Sequence, residues 1–262
     1  MIKILTGYSN VGGSTTALAA LCNLFNDNKM PCELYGPTDW VKSKLNGNYY
    51  KPLNSAQFNK EDTVIYHFLG VTQRLEVKKL ILSCHETNVF PIKEVKPAYD
   101  ALHFVSKFQK DWQGVDGVVI PNVITKYKKS QKRTTNKVAG IVGSIDPHKQ
   151  THLSIKRALE DKNISKIELW GQITTFEYFW NEVYPLLNEN ISYHGASKDM
   201  QKVYDRLDVV FSSSLRECLP MIQAECHLAG VEFRGLPENT RSLEDYIFDD
   251  QEILNKWKEL LS

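Results

Sequence analysis

"DVVFSSSLRECLPMIQAECHLAG", residues 208–230, holds a strand, a turn and a helix in one short stretch. Val209, Val210 and Phe211 are the apolar, β-branched and aromatic residues that suit a buried strand. Ser212 to Arg216 read as the turn at its end. Pro220 suits the first turn of a helix, where its missing N–H costs nothing. "MIQAECHLAG" is amphipathic, and Gly230 marks its stop. Glu217 and Glu225 flank the helix start with seven residues between them. Glu217 falls in the loop and Glu225 about one and a half turns into the helix. They do not stack on one helical face, so they would meet two parts of one elongated ligand lying over the helix N-terminus. That terminus offers unpaired N–H groups and a positive dipole end, which suits a diphosphate.

Outward from this stretch, short β-branched runs alternate with helical patterns along nearly the whole chain. Candidate strands are 2–7, 32–36, 63–68, 79–85, 101–106 and 117–121, then 138–144, 166–171, 191–195, 208–214 and 231–235. Helical patterns fall at 14–28, 149–162, 175–188, 198–206 and 220–229, and the tail reads as one or two closing helices. Near-continuous apolar strands separated by helices indicate parallel sheets covered on both faces. The polar, lysine-rich stretch at 126–137 is the natural boundary. The expected organisation is a Rossmann-like domain over 1–125, that linker, a second Rossmann-like domain over 138–236, and closing helices over 237–262. Two such α/β halves would face each other across a cleft, with ligands outside the carboxyl ends of the strands.

With 262 residues, the chain has room for two such domains. Its 32 Lys and Arg nearly cancel its 31 Asp and Glu, so net charge gives no case for nucleic acid. Five scattered cysteines with no CxxC pair fit reduced thiols in a cytoplasmic protein rather than a zinc site or a disulfide framework. No apolar run reaches the roughly 18 residues of a spanning helix.

The stretch 208–230 resembles the Glu-x7-Glu motif of the retaining glycosyltransferases of family 4, which have the GT-B fold. "GIVGSIDPHKQTHLSIKRALE" (140–160) resembles the opening of that family's C-terminal domain. "IELWGQ" and "ISYHGASKDMQKVYDRLDVVFSSS" resemble the strands that lead to the motif. "HFVSKFQKDW" and "GVVIPNVI" are similar to the close of the N-terminal domain, and "LILSCHE" (80–86) to its strand ending in a cleft histidine. The resemblance covers most of the chain in the right order and is strongest over 138–231.

The resemblance implies a role for each matched residue. Glu225 would bind the ribose hydroxyls of a nucleotide-diphosphate sugar, and Glu217 would face its sugar. Backbone amides around Cys218, Leu219, Pro220 and Met221 would hold sugar hydroxyls and phosphate. Lys149 would neutralise the leaving diphosphate, whose charge grows in the transition state. His85 would line the reaction centre from the N-terminal domain. The implied reaction moves a sugar to an acceptor hydroxyl with retained configuration, by front-face attack and without a metal or other cofactor. The acceptor is an unspecified glycan, lipid-linked molecule or other hydroxyl, and a basic face on the N-terminal domain could meet a lipid-linked one.

Two positions depart from the family pattern. Ser144 stands where an arginine usually assists the lysine, with Arg216 as a substitute source of charge, and Cys218 replaces a customary glycine. A catalytically inactive domain that binds nucleotide-sugar or glycan is therefore a second reading. The opening "GYSNVGGSTTALAALCNLF" (7–25) supplies a third, a P-loop-like ATPase. Against it, Gly13 stands where that loop needs lysine, and the strand 63–68 does not end in a magnesium-holding aspartate. Gly12 and Gly13 are instead expected to form a tight turn that lets donor or acceptor approach the backbone. His67 reads as structural, and Trp170, Phe179 and Trp180 as packing residues.

Overall fold

The computed structural model describes residues 1–9, 12–86 and 91–262. Among these, two compact units separate: Met1–Ile124 with Ser242–Ser262, and Thr125–Arg241. The first unit carries strands β1 (Ile2–Thr6), β2 (Cys32–Gly36), β3 (Tyr50–Pro52), β4 (Thr63–His67), β5 (Lys79–Cys84), β6 (Ala101–Phe104) and β7 (Val118–Val119). They form one sheet in the order β3-β2-β1-β4-β5-β6-β7, with every pairing parallel. The second unit carries β8 (Lys137–Val142), β9 (Ile164–Trp170), β10 (Ile191–Gly195), β11 (Val209–Phe211) and β12 (Glu232–Arg234). Its order is β10-β9-β8-β11-β12, again all parallel.

Parallel strands need crossover connections, and the helices that supply them cover the sheet faces. Strands β1 and β4 are consequently buried at every residue. Even Lys3 lies inside. Its ammonium donates to Asp62 Oδ2 at 2.6 Å and to the Gln57 carbonyl at 2.6 Å, which satisfies a charge that burial would otherwise expel. The helix Gly13–Asp27 lays Leu18, Leu21, Cys22 and Phe25 on one face of this sheet. The closing helix Asp250–Leu261 belongs to the same core, with Trp257 meeting Phe25 edge-on at 5.8 Å. The chain therefore returns to its first unit after completing the second.

Several elements differ from the sequence expectation, among them a strand and two helices. Strand β3 was absent from it, because Tyr50–Lys51–Pro52 is short, half polar and ends in proline, as a sheet-edge strand can. The helix Lys107–Gln113 was also absent. It is defined by its ends: Ser106 Oγ accepts from the Gln109 amide at 3.1 Å, and Gly114 closes it at φ +59°. The helix expected over 175–188 breaks into an α-turn at Phe176–Tyr178, a π-turn at Phe179–Val183 and a 3-10 turn at Tyr184–Leu186. Pro185, which lacks an N–H, is the reason the regular ladder cannot continue.

Part of the basic stretch is tied to the second unit. Arg133 donates to Asp208 and to the Arg206 carbonyl, and Lys132 Nζ donates to the Tyr204 carbonyl at 2.7 Å.

In each sheet the chain order reverses beside the first strand, between β1 and β4 and between β8 and β11. Open α/β sheets leave a crevice at such switch points, outside the carboxyl ends of the strands. At that edge of the second sheet Gly171 follows β9 and Gly143 follows β8. A Cβ on Gly171 would lie 1.7 Å from the Gly143 carbonyl oxygen, so only glycine permits the two backbones to meet.

Candidate functional site

The switch point of the second unit is bordered by the loop after β8 and the loop after β11. The first runs through Gly143, Ser144 and Asp146 to Lys149. Asp146 organises it: Oδ1 accepts from the Lys149 amide at 2.8 Å, and Oδ2 accepts from Ser144 Oγ at 2.6 Å. Gln150 then takes a left-handed conformation, φ +48°, and delivers the chain into the helix Thr151–Leu159. A non-glycine residue in that region costs of order 1 kcal/mol or more, and here it sits beside the lysine whose direction it helps set.

The second loop carries Glu217. The Leu215 amide donates to the His148 carbonyl at 2.8 Å, and His148 Nε2 donates to the Arg216 carbonyl at 2.9 Å. So fastened, the loops bring Lys149 Nζ to 2.5 Å from Glu217 Oε1. The glutamate side chain is 16% exposed and the lysine 33%, so the pair is mostly withdrawn from water yet reachable. Burial pushes the Glu217 carboxyl up. The Lys149 ammonium, its hydrogen bond, a bond from Ser214 and the nearby His148 outweigh burial and hold it below the ordinary carboxylate range. Glu217 is thus an anion at neutral pH, matched to a cation.

The helix Met221–Ala229 begins directly after this loop, with Pro220 as the residue preceding its first turn rather than inside it. Cys218 and Leu219 are buried and anchor the loop, while Met221 is half-buried at the helix start. Glu225 lies on the same helix, and its Oε2 accepts from the Tyr204 hydroxyl at 2.5 Å. The structure therefore joins Lys149 to Glu217 directly, seats Cys218 through Met221 beside them, and gives Glu225 a separate partner, Tyr204, from the helix Met200–Arg206.

Two residues that the sequence reading missed hold the Glu217 loop from below. Asn239, 6% exposed, accepts from the Glu217 amide at 3.0 Å and donates to the Ser214 carbonyl at 2.5 Å. Arg241 donates to the carbonyls of Glu217 and Cys218. Gln223 exchanges two hydrogen bonds with the Arg241 backbone, at 2.6 and 3.0 Å. Removing the Asn239 amide leaves a buried N–H and a buried carbonyl unpaired, at a cost of about 1–3 kcal/mol. Asn239→Ala is expected to lower the melting temperature of the chain and, through a loosened Glu217, to slow turnover of the donor proposed below roughly tenfold. Thermal melts and steady-state rates check the two effects separately.

In the first unit, Gly12 precedes the helix Gly13–Asp27 with φ −152°, a conformation open to any residue, and Gly13 is already helical. Neither position therefore needs glycine for a left-handed backbone. Thr15 Oγ1 accepts from the Gly12 amide at 3.2 Å. Asn10 and Val11, in the expected glycine-rich turn, lie outside the described residues. At the carboxyl edge of this sheet stand three imidazoles on adjacent strands, His67, His85 and His103. Ring centroids of His67 and His85 are 4.9 Å apart, and those of His85 and His103 are 6.0 Å apart. Burial, then His67 and His103, hold His85 well below the ordinary histidine range, so it is neutral near pH 7. His67 is also fully partnered, as expected of a structural residue: Thr6 Oγ1 donates to Nδ1 at 2.8 Å, and Nε2 donates to Glu86 at 3.2 Å.

Among the described residues no group of three or more His, Cys, Asp or Glu is disposed to hold a metal ion, and no helix is long and apolar enough to cross a membrane.

Neither a protein-family model nor a curated protein matches the sequence. Solved structures do resemble the chain. HepE from Anabaena, in complex with UDP-glucose, is similar at a TM-score of 0.67 and 14% identity, over 89% of this chain and 79% of that one. WaaG, a glycosyltransferase involved in lipopolysaccharide biosynthesis, is similar at 0.66 and 10%, over 100% of this chain and 90% of that one. A glycosyltransferase from Rickettsia africae is similar at 0.63 and 13%, over 99% and 89%. At such identities the likeness concerns the fold, which is GT-B: two Rossmann-like units, each a parallel sheet flanked by helices.

Proposed function

We propose that the chain is a retaining glycosyltransferase of the family-4 type, which moves a sugar from a nucleoside diphosphate sugar to an acceptor hydroxyl without a metal. One observation carries the reading: a lysine and a glutamate on the two loops that border a sheet switch point, paired at 2.5 Å beside a helix N-terminus. A bound diphosphate brings negative charge to that point, and Lys149 with the helix amides would neutralise it. The bond between the anomeric carbon and the phosphate oxygen breaks while the acceptor oxygen attacks from the same face. The acceptor proton passes to the departing phosphate, and the nucleoside diphosphate leaves. Glu217 would release Lys149 to the phosphate and turn toward the sugar hydroxyls, while Glu225 would hold the ribose diol. His85, Gly12 and Gly13 would serve from the first unit. All five cysteines are buried thiols, which fits a cytoplasmic setting.

Nucleotide release from a panel of nucleoside diphosphate sugars tests this. Release that falls in Lys149→Met and Glu217→Gln supports the reading, and its absence from every donor at high enzyme concentration overturns it. A second reading, a binding module without turnover, draws on Ser144. Its hydroxyl is engaged by Asp146, so the position customarily held by an arginine supplies no cation. Tight donor binding with no release of nucleotide would favour that reading.

A further inference from the structure

The three imidazoles of the first unit are ordered by their hydrogen-bond partners. His103 Nε2 lies 2.8 Å from the Ile120 carbonyl, which can only accept, so Nε2 carries the proton. Its Nδ1 is then a bare lone pair, and it accepts from Ser83 Oγ at 2.8 Å. With its proton committed there, Ser83 Oγ can only accept from His85 Nε2, 3.1 Å away. His85 is therefore protonated on Nε2, and its Nδ1 is the bare nitrogen. That Nδ1 is buried and has no hydrogen-bond partner among the described residues. An acceptor so placed is costly unless something donates to it.

We infer that Ser83 and His103 are positioning residues that fix the tautomer of His85, leaving Nδ1 as an acceptor for a hydroxyl of the bound sugar or its acceptor. The register supplies the relay. Ser83 and His103 face each other across the parallel β5–β6 pair, and His85 follows Ser83 by two residues on the same side. Both relay residues are essentially closed to water, at 1% and 2% exposure, so solvent does not substitute for either partner. The identity of the donating ligand rests on the sugar-transfer reading. The tautomer does not.

The test uses the full chain labelled with 15N-histidine, with His85 assigned by loss of its signals in His85→Gln. Long-range 1H–15N correlation at pH 7.5 separates protonated from bare ring nitrogens. The expected wild-type spectrum shows one His85 tautomer, Nε2 protonated. In Ser83→Ala both nitrogens shift to intermediate positions as the tautomers mix, and Ser83→Thr, which keeps the hydroxyl, restores the wild-type pattern. A wild-type His85 already mixed, or an unchanged pattern in Ser83→Ala, overturns the inference. Ser83→Ala should also slow sugar transfer severalfold with the affinity for the nucleoside diphosphate unchanged, and Ser83→Thr should recover the rate. A chain that shows the expected tautomers but no turnover with any donor would sink the sugar-transfer reading and leave the relay standing.

Discussion

Lys149→Ala is expected to slow nucleotide release from the sugar donor by about 10²–10³-fold, the usual consequence of removing one preorganised charge from a developing anion. The loss has two parts. The first is the missing ammonium at the leaving diphosphate. The second falls on Glu217, whose carboxyl is pushed up by burial and held down chiefly by Lys149 at 2.5 Å. Without the lysine, burial dominates and the carboxyl titrates at higher pH, so the variant also loses rate on the acid side where wild type does not. Lys149→Arg keeps the charge but offers a planar fork in place of a point charge, and should recover only part of the rate. Because the two residues act as a unit, Lys149→Ala combined with Glu217→Gln should be far less damaging than the product of the single effects. Steady-state kinetics on wild type, the three single variants and the double variant decide it. An unchanged rate in Lys149→Ala, or full additivity, would remove the pair from the chemistry.

The legibility of this site in the sequence was uneven for physical reasons. Strands such as Ile2–Thr6 and Thr63–His67 are apolar, β-branched runs buried on both faces, and composition alone places them. Glu217 and Glu225 stand out because they flank a helix start just after a strand, where a ligand can meet the helix N-terminus, whereas Lys149 is picked out only by the resemblance of 140–160 to a known domain opening. Asn239 and Arg241 do not stand out. They act through backbone groups of a loop more than twenty residues away in sequence, and no local pattern announces such a contact. The segment "LPENTRS" offers only a short 3-10 turn and its proline. The histidine relay left a fainter signal that could have been followed. "LILSCH" and "ALHFV" each interrupt an apolar strand with a polar residue, which a buried strand tolerates only when that residue has a partner. Partner and tautomer both depend on register, and register is a property of the folded sheet.

The first unit should lose stability between pH 6.5 and 4, ahead of general acid unfolding. His103 is the cause with a stated value: burial first, then His67, lower its pKa to about 4, against the opposing hydrogen bond to Ile120. The sign follows from proton counting. Between the unfolded value near 6.5 and the folded value near 4, the unfolded chain binds a proton that the folded chain refuses, so stability falls as pH falls. A shift of that size corresponds to roughly 3 kcal/mol, present in full above pH 6.5 and gone below pH 4. His85, shifted in the same direction by burial with its two histidine neighbours, adds to the slope. The depressed carboxyls act elsewhere on the scale. Asp62 is raised by burial but held below its ordinary value by Lys3, and Glu217 by Lys149, so both contribute stability that is lost only as pH falls through their ordinary values, 3.8 and 4.5, and below. The windows overlap only at the acid end, which makes the assignment testable by urea melts across pH 7.5 to 4. His103→Gln, whose side-chain amide can still donate to the Ile120 carbonyl, should be less stable at pH 7.5 yet show a shallower decline from pH 6.5 to 4. A decline equally steep in that variant would mean that the buried histidine stays neutral for no energetic reason, and the proton count above would be wrong.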